Sequence, residues 1–248
     1  VWTLSLLPST IFYMNFLHPT DHNNGPMKSS LGELLGEAIA LYARAPILFI
    51  LVSLLPAVLI NIIGQVVIPN TDNLYLASFR ATVINSIIIG FHTSTFYLVV
   101  LASRQRKLQI SSSVSAVVAF GPKLFLLALI TSAAALLLIP TIFGIFIAIY
   151  VGVRLSLIRP FIVLENTMPL QAVLESWKLI EGNWVRTFTV QFIVISFSVI
   201  VFVSFSILMR SIGENMWVTL LLQSLAQSLV APLSASVEIT LFDEYKKH

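Results

Sequence analysis

The longest uncharged stretch of the chain limits what this sequence can fold into more than any other feature. It runs from Leu124 to Val153 and contains 30 residues. A single straight helix of that length would measure about 45 Å, whereas the hydrocarbon core of a bilayer is about 30 Å thick. Pro140 lies within the stretch, and proline lacks the amide hydrogen that a helix interior needs. The stretch therefore predicts two membrane-spanning helices joined by a tight turn at Pro140.

The composition of the whole chain is typical of an integral membrane protein. Hydrophobic residues make up 57% of the 248 residues and charged residues 10%, whereas soluble proteins carry about 25% charged residues. The chain has no cysteine, which excludes a disulfide framework, a thiolate metal site and a cysteine nucleophile. The formal net charge of +3 does not indicate nucleic-acid binding, because the basic residues lie at the ends of apolar stretches, where membrane topology explains them.

Six stretches are long and apolar enough to cross a bilayer, since a span needs about 20 residues. They cover residues 46–68, 81–102, 124–139, 141–163, 187–209 and 216–237. We expect an all-α fold in which these six helices form three hairpins within one polytopic membrane domain, residues 27–248. Residues 1–26 contain no Lys or Arg and match neither a signal peptide nor a span, so we interpret them as an extension upstream of a start at Met27.

The basic residues also predict the orientation of the spans. With six spans, all but two of the 14 Lys and Arg residues lie on one side of the membrane. The exceptions are Arg80 and Arg210. By the positive-inside rule the basic side is the cytoplasm, and both termini therefore face the cytoplasm.

An amphipathic helix is predicted before each hairpin. The two clearest cover residues 29–45 and 168–182, and a weaker one covers residues 110–121 and is followed by a predicted break at Gly121 and Pro122. Ser30 and Glu33 form a capping box at the start of the first. All three helices would lie on the cytoplasmic surface of the membrane, so the order of one surface helix and two spans is used three times.

Two arginines and a glutamate near the end of the fourth span are candidates for a ligand site. Arg154, Arg159 and Glu165 lie in the segment RLSLIRPFIVLEN. Arginine binds a lipid phosphate or another anion through two parallel hydrogen bonds. The alternative, which we favour, is that the two arginines anchor the topology at the membrane boundary and that Glu165 is a local partner.

A polar stripe follows one face of the last span. It consists of Gln223, Gln227, Ser234 and Glu238. Such a stripe could line a polar pathway, but polar residues in membrane helices more often bond to a neighbouring helix. His92 in the second span has the same two interpretations, proton relay or structural residue, and we favour the structural one because no span carries an acidic residue at mid-membrane depth.

One tryptophan lies within the last surface helix and another lies just after it. Trp177 and Trp184 are expected to be interfacial anchors at the level of the lipid headgroups. The four histidines of the chain form no ligand cluster, and neither a phosphate-binding loop nor a catalytic triad is present in the sequence. We therefore predict no catalytic residue, no metal and no cofactor.

The segment from Arg154 to Trp184, RLSLIRPFIVLENTMPLQAVLESWKLIEGNW, resembles the YciC-type bacterial inner-membrane proteins. It is also similar to the related membrane domain of some glycerophosphodiester phosphodiesterases. The resemblance extends over about residues 28–245 and implies a six-span protein of the bacterial inner membrane. It does not imply the phosphodiesterase activity, which resides in a separate soluble domain.

Two functional hypotheses follow from the sequence. The first is a non-enzymatic membrane protein that acts as a platform for lipids or for another membrane protein, with no nucleic-acid partner. The alternative is a transporter or flippase-like protein, in which a lipid or small amphiphile passes Arg154 and the polar stripe.

Overall fold

A computed structural model describes residues 29–63, 74–138, 142–212 and 215–247. These residues form α-helices and no strand, which confirms the prediction of an all-α fold. In chain order the helices are α1 (Leu31–Tyr42), α2 (Pro46–Ile62), α3 (Leu74–Ser103), α4 (Ile110–Leu138), α5 (Ile142–Arg154), α6 (Ile158–Leu164), α7 (Pro169–Leu179), α8 (Trp184–Ile212) and α9 (Met216–Lys246).

Four helical units in the described part of the chain are long and apolar enough to cross a membrane. They are Ile110–Ser132 in α4, Phe143–Leu164 across α5 and α6, Trp184–Ser211 in α8 and Met216–Lys246 in α9. The pair α1 and α2 adds a fifth if these two helices, which meet at 77°, are counted as one broken span. Only 6% of the α8 stretch is buried, so its apolar side chains face outward, where lipid would lie. These units indicate a protein integrated into a membrane.

The first helix begins as the sequence predicts. The Ser30 hydroxyl accepts a hydrogen bond from the Glu33 amide at 3.2 Å, and the Glu33 carboxylate accepts one from the Ser30 amide at 2.6 Å. This capping box satisfies amide groups that have no partner inside the helix. Pro46 then begins α2, where its missing amide hydrogen costs nothing.

Helix α4 differs from its prediction. The prediction of a separate surface helix over residues 110–121 is wrong, because one continuous helix runs from Ile110 to Leu138. Gly121 and Pro122, which were interpreted as a break, lie inside it. Gly121 instead packs closely on α3: a Cβ atom built on it would lie 3.4 Å from the Gly90 carbonyl oxygen. Small residues allow such close approach between membrane helices.

The predicted span over residues 141–163 is not one helix. It is interrupted at residues 155–157, between α5 and α6. Pro160 explains the break, because it cannot donate to the preceding turn but fits the first turn of a new helix. The last span, predicted to end at residue 237, continues to Lys246. The predicted turn at Pro140 lies outside the described residues.

The core forms around two helices. Helix α3 is buried from His92 to Ala102 except for Tyr97, and α9 is buried from Ala235 to Tyr245 except for Asp243. Side chains of α1, α2, α6 and α8 pack around this pair. The last third of α9 is thus a central element of the bundle, and Glu238 and Glu244 are buried with it.

Candidate functional site

Each acidic residue in the last third of α9 is paired with an arginine from a different part of the chain. The pairs are Arg159 with Glu238, Arg104 with Asp243, and Arg186 with Glu244. Arg159 comes from α6, Arg104 follows α3, and Arg186 lies in α8. The end of α9 is therefore held by charge to three other elements.

The Arg159–Glu238 pair contains the most deeply buried of the three acids. The Glu238 side chain is only 5% exposed, and the Arg159 Nη2 atom donates to its Oε1 atom. The Ser234 hydroxyl donates to the same oxygen at 3.4 Å, and the Arg159 guanidinium lies 5.5 Å from the centre of the Phe96 ring. The structure therefore brings together residues that the sequence analysis assigned to two separate sets.

The three residues predicted as a ligand set do not converge. Arg159 contacts Glu238, and Glu165 forms an ion pair with Lys246 at 2.9 Å. Arg154 contacts neither Arg159 nor Glu165, because the break after α5 places Glu165 on a different helix from Arg154. No common anion site for the three side chains is therefore formed.

Arg154 belongs to an aromatic cluster instead. Its guanidinium donates to the Tyr150 hydroxyl at 3.0 Å and to the Trp177 carbonyl oxygen at 2.9 Å. It also lies 5.4 and 5.2 Å from the centres of the Tyr150 and Trp177 rings. The Ser176 hydroxyl donates to the Arg154 carbonyl oxygen at 2.7 Å. Arg154 thus fixes α7 to the end of α5.

Both predicted anchors lie in the same cluster. Trp177 meets the Tyr150 ring edge-on at 6.0 Å, and Trp184 stacks on Tyr150 at 5.6 Å. Trp184 also donates to the Tyr150 carbonyl oxygen at 3.3 Å and stacks on Phe188 at 5.2 Å. The sequence analysis missed Tyr150, although its position one helical turn before Arg154 is a readable signal.

Gln227, one residue of the polar stripe of α9, faces α2. The Asn61 side-chain amide donates to the Ser224 hydroxyl at 3.0 Å and to Gln227 Oε1 at 3.4 Å. Gln223 is half-buried. Gln227 was predicted as part of the stripe, whereas Ser224 and Asn61 were not predicted. The isolated polar side chain of Asn61 in an apolar helix was the available signal. In this part of the stripe the polar groups bond between helices.

His92 lies in the buried part of α3, one turn before Phe96. Three residues later in α3, the Thr95 and Ser53 hydroxyls form a hydrogen bond of 2.8 Å, which connects α3 to α2. Among the described residues, no group of three or more His, Asp or Glu side chains is arranged to hold a metal ion.

The chain matches no protein-family model, no curated protein and no solved structure. Its function is therefore inferred from its own residues.

Proposed function

We propose that this chain is a non-enzymatic protein of the bacterial inner membrane that acts as a platform for membrane lipids at its cytoplasmic face. The observation that carries the proposal is a row of exposed apolar side chains on α7. Another membrane protein is the second class of partner that such a row would suit.

The row consists of Leu170, Leu174 and Trp177, which are 80%, 63% and 36% exposed. They are spaced at one-turn intervals and so share one face of α7. The opposite face carries Ala172 and Ser176, both fully buried. Helix α7 is thus attached firmly by one face while it presents leucine and tryptophan on the other.

The row continues into an outward aromatic surface. Trp177 contacts Tyr150, Tyr150 contacts Trp184, and the Trp184 ring leads through Phe188 to the exposed Phe192 of α8. Tryptophan and tyrosine are enriched at the membrane–water boundary because their rings are apolar at one end and polar at the other. This continuity favours lipid as the occupant of the row, with α7 lying at the headgroup level.

The proposal includes six spans in three hairpins, with both termini in the cytoplasm, and membership of the YciC-type proteins. The grouping of charges supports a single basic face. Arg186 of α8 donates to the Ser29 carbonyl oxygen at 2.9 Å, which brings the start of α1 to the end of α9. The surface helix α1 and the paired arginines therefore lie at the same end of the bundle.

The depth of α7 in a bilayer tests this function. The chain has no cysteine, so Leu174→Cys gives a single attachment site for a spin label. In reconstituted bilayers we expect this label to collide more often with molecular oxygen, which concentrates in lipid, than with a water-soluble nickel chelate. Glu181→Cys, on an exposed residue just after α7, is the matched control and is expected to show the opposite preference. A label at residue 174 that prefers the nickel chelate would contradict the proposal.

Transport is the second candidate function, because α9 carries the half-buried Gln223 and Gln227 and an internal proline, Pro232. The bond from Asn61 to Gln227 favours a packed seam instead. We therefore expect Gln227→Cys to react slowly with a membrane-impermeant thiol reagent, while Glu181→Cys reacts fast. Fast reaction at positions 223 and 227 together would favour a water-filled pathway.

A further inference from the structure

A cavity of about 560 Å³ lies between α1, the end of α3 and the last turns of α9. Its volume falls within the range of about 300–1,000 Å³ that is usual for sites of small ligands. The cavity is separate from the aromatic cluster around Tyr150 and from the polar stripe of α9, since none of their residues lines it.

The lining of the cavity has an apolar buried part and a charged exposed part. Leu41 and Ile239 are buried. Glu37 of α1, Arg44 between α1 and α2, and Lys247 at the end of α9 are exposed. The exposed part therefore presents a carboxylate and two cations to the same space. A ligand that carries both signs of charge suits it better than a simple anion or cation.

A buried carboxylate in the lining has an unused acceptor. The Oε1 atom of Glu244 accepts hydrogen bonds from Arg186 and from the Ser29 hydroxyl. Its Oε2 atom is buried and has no hydrogen-bond partner among the described residues. An unpaired buried carboxylate oxygen is costly, and it is relieved only by a group that donates a hydrogen. Because Glu244 lines the cavity, a ligand there can supply that donor.

The cations of the lining are suited to an oxyanion. Arg44 donates one N–H group to the Ala102 carbonyl oxygen at 2.6 Å, which fixes the side chain and leaves further N–H groups of the guanidinium. Lys247 adds a second positive charge. The third acid of the lining, Asp243, is already held by Arg104 through two bonds of 2.6 and 3.0 Å. Glu37 and Glu244 are thus the acids that can serve an ammonium group.

We propose that this cavity binds a zwitterion in which a primary ammonium group and a phosphate ester are joined by a short spacer. The ammonium group donates to Glu244 Oε2 and to Glu37, and the phosphate accepts from Arg44 and Lys247. A quaternary ammonium group has no N–H and cannot satisfy Glu244. A phosphate without an amine leaves both acids unpaired. This chemistry occurs in the headgroup of phosphatidylethanolamine and in free phosphoethanolamine.

The inference deepens the proposed function by naming the class of lipid, and it rests on that function for the membrane source of the ligand. Helix α1, which we assign as a surface helix of the platform, supplies Glu37, and the turn after it supplies Arg44. Helix α7 takes no part in the cavity. The depth of α7 and the selectivity of the cavity can therefore be measured independently.

Native mass spectrometry of the purified full chain tests the inference. The protein is mixed with equal amounts of phosphatidylethanolamine, phosphatidylcholine and phosphatidylglycerol that carry the same acyl chains. We expect phosphatidylethanolamine to bind about tenfold more tightly than phosphatidylcholine, the effect of one charge-assisted hydrogen bond. Glu37→Gln, at an exposed position, is expected to lose this preference because it removes an acceptor of the ammonium group. The double variant Arg44→Gln/Lys247→Gln is expected to bind phosphatidylethanolamine and phosphatidylcholine about tenfold more weakly, because it removes the partners of the phosphate that both lipids carry. Arg210→Gln, an exposed cation at the far end of α8, is the matched control and should change nothing.

Soluble phosphoethanolamine then distinguishes the two sources. Competition by the soluble compound would assign the cavity to the free zwitterion as well, whereas no competition would assign it to the lipid. Equal binding of phosphatidylethanolamine and phosphatidylcholine to the wild type would overturn the inference, as would an unchanged preference in Glu37→Gln or unchanged affinities in the double variant. If the label at residue 174 still reports lipid in that case, the platform stands and only the cavity assignment fails. A label in water combined with competition by soluble phosphoethanolamine would reject the platform and keep the cavity chemistry.

Discussion

Arg159→Leu is expected to lower the free energy of unfolding by about 3–5 kcal/mol, because it leaves a buried carboxylate without its cation. The Glu238 side chain is 5% exposed and accepts from Arg159. Its other contact in the described residues is the Ser234 hydroxyl at 3.4 Å, which cannot replace a full positive charge. The carboxylate of Glu238 would therefore remain buried without a cation beside it.

The double variant Arg159→Leu/Glu238→Leu separates the loss of the pair from the exposure of one charge. Replacing both partners of a buried ion pair with apolar residues of similar size is often neutral or stabilising. We expect the double variant to recover most of the lost stability. Unfolding in mixed micelles, with a rising fraction of denaturing detergent, measures all three proteins on one scale.

Arg104→Leu is the matched control. It also removes an arginine that pairs with an acid of α9, but this pair is less buried. Arg104 and Asp243 are 33% and 26% exposed, so water can solvate the acid that remains. We expect a loss of about 1 kcal/mol or less, as is usual for ion pairs with access to solvent. Equal losses for Arg159→Leu and Arg104→Leu would show that burial does not determine the cost.

The Arg159–Glu238 pair also shows what the sequence could predict. Both residues are charges within apolar sequence, and for that reason both were predicted as candidate site residues. Their pairing depends on how α6 is placed against α9, and the two residues are 79 positions apart in the chain. No local pattern encodes that register, which is determined by packing in the core. Arg154 and Glu165 show the converse. They are close in the sequence, but the break at residues 155–157 separates them.

The surface helices could be predicted where local chemistry and packing agree. The capping box fixes the start of α1, and the alternation of apolar and charged residues fixes α7. At Gly121 and Pro122, local chemistry and packing disagree. These residue types favour a helix end, yet α4 continues through them. The contact with α3 uses the missing side chain of Gly121 for close packing, so tertiary contact overrides local preference.

Gly121→Leu is therefore expected to destabilise the protein by about 3 kcal/mol, the upper range for overpacking a tight contact. A Cβ atom at this position would lie 3.4 Å from the Gly90 carbonyl oxygen and 3.5 Å from Val117 Cγ1. Those are ordinary contact distances, so Gly121→Ala is expected to have little effect. The further atoms of leucine find no space unless α3 and α4 move apart. The same unfolding measurement in mixed micelles determines both losses.

Gly152→Leu provides the control, because a Cβ atom on Gly152 of α5 would meet nothing within 4 Å. Glycine is less favourable than leucine in a helix by up to about 1 kcal/mol. Helix propensity alone would thus make both leucine variants more stable than the wild type, and we expect this only at Gly152. If Gly121→Leu were as stable as Gly152→Leu, the close approach of α3 and α4 at Gly90 would be refuted, and the break originally predicted at Gly121 and Pro122 would again be the better interpretation.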